Sequence, residues 1–273
     1  MDYEIQQIQA APHQLIDAVE KAQVDVQVTT AKAYPRDLAR AKNNAIALVT
    51  MDEKTAESCS YALPRSGKPI TGPSVHLARI LAQQYGNIRA EAKVVEITER
   101  QVVSRGTAWD LENNYAVAFE VRRSIWGKFG RYSDDMITVT GNAANAIAYR
   151  NAVLAIIPKG LTDIVSQAAK EKITGDLSDE TKLIARRKKM LDHFKTTYAI
   201  TEEEVLKMLA KQTIEQIGAD QIAIMLSTQQ ALKDGDTTVE ELLKDIRTKV
   251  EKVDDKKKEL KEKLGKGVQA RLL

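Results

Sequence analysis

Cysteine is almost missing from this chain, and several other scarcities narrow what it can be. One cysteine, Cys59, among 273 residues excludes an internal disulfide framework and a multi-cysteine zinc site, and this usage fits a reducing cytoplasm. Cys59 is expected to be a buried, inert thiol. The three histidines, His13, His76 and His193, stand far apart, without H-E-x-x-H or cysteine–histidine spacing, so each reads as a surface or packing residue. Neither sign of charge dominates: Lys+Arg 41 against Asp+Glu 38 leaves a formal net charge of +3, too small for a uniformly basic nucleic-acid coat. Any polyanion site must therefore be local. No run approaches the ~20 apolar residues that span a bilayer, and "MDYEIQQIQAAPHQLIDAVE" lacks a basic start followed by an apolar core. The expected compartment is the cytoplasm.

What is present, 43% hydrophobic and 29% charged residues, suits a packed soluble protein. Residues 1–57 read as a helical N-terminal segment, with Pro35 placed to open its second helix. A short strand, "SCSYALP", comes next. Thr71-Gly72-Pro73 then offers a helix start, Leu77, Ile80, Leu81 and Gln84 share one helical face, and Gly86 closes it. "NIRAEAKVVEIT", "QVVSRGTAWDL" and "YAVAFEVRRSI" alternate as strands of an antiparallel meander, joined by "TER" and by "ENN" in a solvated turn that includes Asp110 and Glu112. A long helix from Met136 to Pro158 is expected to lie across that sheet, its start favoured by Asp134 and Asp135 against the helix dipole.

Beyond "KITGDLSDE" the composition shifts to Lys, Glu, Leu and Ile, and helical patterns cover 180–197, 201–211, 218–232 and 237–264. The predicted class is α+β: a three-stranded antiparallel meander with a long packing helix, a helical N-terminal segment (1–57), a core (58–173) and a separate all-helical C-terminal region (174–273) with a boundary near Gly175. Val239, Leu243, Ile246, Val250, Val253, Leu260 and Leu264 form a short heptad-like seam, which serves either self-association or a helix folded back on its own domain.

The chemistry offered is cationic. "SGKP" is no phosphate-binding loop, because Gly67 has no glycine five residues before it and Pro69 replaces the magnesium-ligating hydroxyl. Clustered acids such as Asp134 and Asp135 are read as structural, and a metal-dependent nuclease as the weaker alternative. Between 61 and 160 the cations outnumber the acids and are interleaved with Trp109, Tyr115, Trp126, Phe129, Tyr132 and Tyr149, a combination able to neutralise phosphates and stack on unpaired bases. Trp109 is expected in the core; Trp126, in a glycine-flanked loop, is equally compatible with exposure. The turn carrying Arg65 and Lys68 leads to a helix N-terminus at Gly72–Ser74, which is either an anion site for one backbone phosphate or an ordinary hairpin and cap.

Two segments, "YALPRSGKPITG" followed by a helix and "YGNI", and "GKFGRYSDDMITVTGNAANAIAYRNAVLAIIP", resemble in order the motifs of the phage single-strand annealing proteins of the RecT and Red beta kind, in the RecT/Erf superfamily. The likeness covers roughly residues 58–160. It departs from the pattern at Ala144-Asn145-Ala146-Ile147, where the family commonly has lysine-threonine. The resemblance implies ATP-independent binding of single-stranded DNA and of the nascent duplex, and annealing of complementary strands in phage-type recombination and repair, by a protein that is not an enzyme and uses no cofactor, catalytic residue or metal. It further implies a homo-oligomeric ring or filament. Carried over residue by residue, it assigns phosphate contact to Arg65, Lys68, Arg105, Arg122, Lys128, Arg131 and Arg150, ordering of the arginine or strand end to Asn151, and base stacking to Trp126 and Tyr132. The C-terminal helices would recruit a partner exonuclease or single-strand-binding protein, and "ARRKK" at 185–189 with the lysine-rich tail after Asp254 would add nonspecific phosphate contacts. The competing reading is an oligomeric scaffold with a basic α+β core and no annealing activity.

Overall fold

The computed structural model describes residues 12–64, 69–127, 130–175, 177, 179–244 and 246–247. It is mixed α+β. Three helices open the described chain: α1 (Pro12–Ala33), α2 (Leu38–Val49) and α3 (Glu53–Ser58). Asp37 and Asp52, both extended, cap α2 and α3 by accepting the main-chain N–H groups of Arg40 and Thr55. Pro35 thus stands two residues ahead of the cap and does not itself open the helix.

The segment expected to start the next helix instead forms a strand: β1 (Ser60–Leu63) pairs antiparallel with β2 (Ile70–Pro73). Helix α4 (Val75–Tyr85) begins after Ser74, and Val75, Leu77, Ala78, Leu81 and Tyr85 form its buried stripe. Gly86, at φ +72°, ends it in a conformation that costs glycine nothing.

The meander follows as β3 (Ile88–Ile97), β4 (Gln101–Asp110) and β5 (Tyr115–Ser124), in the order β3-β4-β5. The register of β4 with β5 runs unbroken from Gln101↔Ser124 to Asp110↔Tyr115, whereas β3 carries a bulge between Val94 and Glu96. A two-residue ladder, β6 (Trp126–Gly127) with β7 (Gly130–Arg131), leads into α5 (Asp134–Ile156). Ser133 caps α5, Asp134 and Asp135 fill its first turn, and it stops just before Pro158.

Helix α5 lies across all three strands. It comes close because its buried positions are small, including Gly141, Ala143, Ala144, Ala148 and Ala152. On β4 the residues turned toward it are Val102, Ser104, Gly106 and Ala108, all buried. A Cβ on Gly106 would sit 2.2 Å from the Ala148 carbonyl oxygen, so this position admits no side chain. The main core gathers α2, α3, α4, α5 and α6 (Lys159–Gly175) around residues such as Val49, Leu77, Leu81, Val153 and Val165, and Ala108 of β4 joins it.

The turn after β4 is no solvated loop. Asp110 is buried and ion-paired with Arg36, which also bonds Glu112 at 3.1 Å and stacks 4.0 Å from the Tyr85 ring centre. Burial pushes the Asp110 carboxyl up, but hydrogen bonds from Arg36 and Asn113 outweigh it and hold the group below the ordinary range. Glu112 is lowered likewise, burial being outweighed by bonds from Asn87 and Arg36. This cluster ties the α1–α2 junction to the meander.

The C-terminal helices are α7 (Glu180–Tyr198), α8 (Glu202–Met208) and α9 (Ala219–Lys233), with helical residues at 239–244 and 246–247. They share a core of Phe194, Ile222, Met225 and Leu243, and Val239 and Ile246 pack against it. The described part of the heptad-like seam therefore folds back on its own region; Val250, Val253, Leu260 and Leu264 lie outside the described residues. Nor is the region detached at Gly175. Helix α9 packs directly on β1, Ser60 and Ser227 share a 2.6 Å hydrogen bond, and Arg186 of α7 bonds Glu57 of α3. Among the described residues no single helix is long and apolar enough to cross a membrane.

Candidate nucleic-acid interface

With α5 on one side of the meander, strand alternation turns every second residue to the other side. In register across the three strands, that open face carries Arg89–Trp109–Ala116, Glu91–Thr107–Ala118, Lys93–Arg105–Glu120 and Glu96–Val103–Arg122. Arg89, Arg105, Thr107, Trp109, Ala116 and Ala118 line a shallow depression of ≈ 390 Å³. Trp109 forms one wall and the alanines leave room beside its ring.

Arg105 and Arg122, both assigned from the sequence, are thus exposed on the same face of neighbouring strands. Arg105 makes no ion pair among the described residues, and Arg122 approaches only Glu120, at 4.0 Å and in solvent. Trp109, expected in the core, belongs here instead. The reason is α5: with Gly106 and Ala108 held against the helix, a residue of Arg105's parity must point away. Arg89 and Lys93 join the face by the same alternation in β3, a signal present in the sequence once strand parity is followed across the register.

Ser124 continues the open face at its far end, where Arg100, Ser124 and Trp126 surround a pocket of ≈ 270 Å³. Trp126 is 51% exposed and its indole N–H donates to the Glu99 carbonyl at 2.7 Å, which fixes the ring without burying it. Arg131 pairs with Trp126 across β6–β7 and is exposed. Tyr132 differs from its assignment: it packs with Val102, Ile125, Ile137 and Ala144, and its ring closes on Gly127, where a Cβ would lie 2.7 Å from Tyr132 Cε1. It supports the ladder.

Arg150 also differs. Its guanidinium, 9% exposed, bonds Asp236 Oδ2 at 2.7 Å and lies 4.3 Å from the Tyr61 ring centre. Asn151, half-buried on the same helix, stands beside it in sequence. Arg123 donates to the Asp236 carbonyl at 2.9 Å, while His76 and Gln230 bond Asp234 at 3.1 and 2.8 Å. These groups fasten the loop after α9 to the core, and they are removed from the open face.

The α4 terminus is likewise occupied. Ser74 is fully buried, accepts the Leu77 N–H at 3.2 Å and donates to the Ser58 carbonyl, so the helix end is an ordinary internal cap. Arg65, Lys68 and Lys128 lie outside the described residues. In the 185–189 cluster, Arg186 is engaged by Glu53 and Glu57, and Arg187 donates to the carbonyls of Ile217 and Glu215. Those two arginines serve packing.

Cys59 is buried, and desolvation pushes its thiol up to about 12, which makes it inert at neutral pH. Among the described residues there is no group of three or more His, Cys, Asp or Glu side chains able to hold a metal ion. The site that emerges is a one-sided sheet surface of mixed charge, its cations in excess, with indole rings at both ends. Comparison of the chain with protein-family models, curated proteins and solved structures gives no match.

Proposed function

We propose that the chain binds single-stranded DNA on the open face of the meander and promotes pairing of complementary strands without ATP. The observation that carries this reading is the face itself: Arg89, Lys93, Arg105 and Arg122 distributed around Trp109 and small neighbours, continuing to Trp126 and Arg131. Cations at several points along an extended surface neutralise successive phosphates, and an indole beside alanines takes a base by its π-face, which every base possesses. Such contacts grip without reading sequence. Annealing needs no bond to be made or broken, so no catalytic group is called for. The sequence likeness to the RecT and Red beta kind points the same way, with a homo-oligomer in the cytoplasm as the working form and the C-terminal helices available to a partner nuclease or single-strand-binding protein.

Glu91, Glu96 and Glu120 share the face, and this mixed charge is the feature that favours the scaffold reading. Fluorescence-monitored pairing of two complementary oligonucleotides, without nucleotide triphosphate, separates the two. Binding by the full chain should weaken linearly in log–log salt, and Arg105→Ala with Arg122→Ala should flatten that slope by about 1.4, from roughly 0.7 for each single-strand phosphate contact. Trp109→Ala should cost about 1–3 kcal/mol of affinity. A salt-independent response, or no acceleration of pairing, establishes the scaffold instead.

A further inference from the structure

The meander ends in two edges that pair with no other strand among the described residues, and they are not alike. Strand β3 is kinked by the bulge at Val94/Glu96, and the α1–α2 junction is fastened to its start through Asn87 and the Tyr34 carbonyl. Both devices discourage pairing with another chain. Strand β5 has neither: it is ten residues long, lacks proline and bulge, and leaves Tyr115 and Phe119 exposed. The phase of its hydrogen bonds is fixed, because the Ile125 N–H donates to the Arg100 carbonyl, toward β4. Odd-numbered residues of β5 thus address β4, and Ala116, Ala118, Glu120, Arg122 and Ser124 direct their main-chain groups outward. All five are exposed.

We propose that β5 is the contact between two copies of this chain, paired antiparallel about a two-fold axis at Val121. The register follows from charge. Centred on Val121, Glu120 of each copy faces Arg122 of the other, Ala118 faces Ser124, and Val121 faces itself. The outward-directed groups of Ala118, Glu120, Arg122 and Ser124 find partners, giving roughly eight main-chain hydrogen bonds, while Ala116 lies beyond the paired stretch. Centring on Glu120 would set the two glutamates against each other. Centring on Phe119 would face Glu120 with Ala118 and Arg122 with Ala116, leaving both charges unpaired. Only the Val121 register of these three is charge-complementary. Helix α5 crosses β4 and β5, so at ~4.8 Å per strand the two copies of α5 ride about 10–14 Å apart, no closer than packed helices. The contact closes on itself, so a ring or filament would require a second, heterologous surface. The proposal rests on the strand edge and its test needs no nucleic acid, although its ion pairs engage Arg122 and Glu120 of the open face.

The test is cysteine cross-linking of the full chain with oxidised glutathione, together with light scattering over a concentration series. A non-hydrogen-bonded antiparallel pair brings opposed Cα atoms to about 4.5 Å, within disulfide reach. Val121→Cys should therefore link into a dimer, while wild type should not, since its one thiol is buried. Phe119→Cys should also fail to link, because in this register residue 119 faces residue 123 and its own copy lies about 13 Å away. Glu120→Arg, on an exposed residue whose replacement leaves the core untouched, should raise the dimer dissociation constant about tenfold, and adding Arg122→Glu should restore it. A monomer at all concentrations, an assembly in which Val121→Cys does not link, or linking of Phe119→Cys as efficient as that of Val121→Cys would each overturn the proposal.

Discussion

Asp236→Ala is the sharpest probe of how this chain holds together, because it breaks one pair that joins regions 86 positions apart. In the native protein the Asp236 carboxylate and the Arg150 guanidinium meet at 2.7 Å with side chains 5% and 9% exposed. Truncating Asp236 leaves the arginine buried with the Tyr61 ring and no counter-charge. Removing one member of a buried pair costs about 3–5 kcal/mol. At about 2–4 °C per kcal/mol for a domain of this size, Tm should fall by roughly 6–20 °C. Arg150→Met with Asp236→Leu should recover most of the loss, since a packed apolar pair needs no desolvation. The pH dependence has a definite sign. Burial pushes the Asp236 carboxyl above the ordinary aspartate range while Arg150 pulls it back. A carboxyl raised in the fold favours the folded state when protonated, so its contribution is lost as pH rises from about 4 through the folded value. Arg150 limits that loss. The destabilisation by Arg150→Ala, measured by thermal melts, should thus grow between pH 4 and 7. A flat difference across that range, or an Asp236→Ala shift below about 2 °C, would refute the argument.

Gly106→Ala should lower stability by at least the ~1–3 kcal/mol of an overpacked core, because the new methyl meets the Ala148 carbonyl and α5 must move; urea unfolding measures it. The Arg36 cluster carries the opposite pH sign from Asp236: Asp110 and Glu112 are lowered in the fold, so their stabilisation is complete above about pH 4–5 and disappears as pH falls through their folded values. Asp110→Asn should flatten the acid limb of a Tm–pH profile. Truncation near Lys172 should give a poorly folded product by circular dichroism, since it strips α9 from β1 and Asp236 from Arg150; a cooperative melt at the wild-type temperature would show that the C-terminal helices are dispensable.

Much of this architecture was legible in the sequence, and for identifiable reasons. Alternation over ten-residue runs marks β3, β4 and β5, and Ser133-Asp134-Asp135 with Pro158 brackets α5 at both ends. What escaped was side-chain partnership at long range. Arg36 and Asp110 are 74 positions apart and Arg150 and Asp236 are 86, so no local pattern announces either pair. Asp110 sits among turn-forming residues and reads as solvated, yet it anchors a buried cluster. Arg150 sits on an apolar helix, where a lone arginine suggests a ligand, but its counter-ion is supplied by the loop after α9. Trp109 was misplaced for a different reason. A tryptophan in a strand is ordinarily core, and only the closeness of α5, enforced at Gly106, leaves no room for it on the helix side.

These partnerships bear directly on which cations can meet a phosphate. A net charge of +3 says little, because the count does not separate arginines committed to internal carboxylates from those facing water. Arg36, Arg150 and Arg186 are committed; extracting any of them to bind DNA would leave a carboxylate with reduced charge compensation, against a penalty of several kcal/mol. Arg105 and Arg131 have no ion pair among the described residues, and the 4.0 Å contact of Arg122 with Glu120 lies in solvent, where such pairs contribute about 0–1 kcal/mol. A phosphate can therefore take these cations at almost no internal cost. The same asymmetry applies to the carboxylates: Glu120 opposes a polyanion on the open face without stabilising the fold, so neutralising it would strengthen DNA binding, whereas truncating Asp236 to alanine would strip Arg150 of its counter-charge, loosen the protein and leave the binding face unchanged.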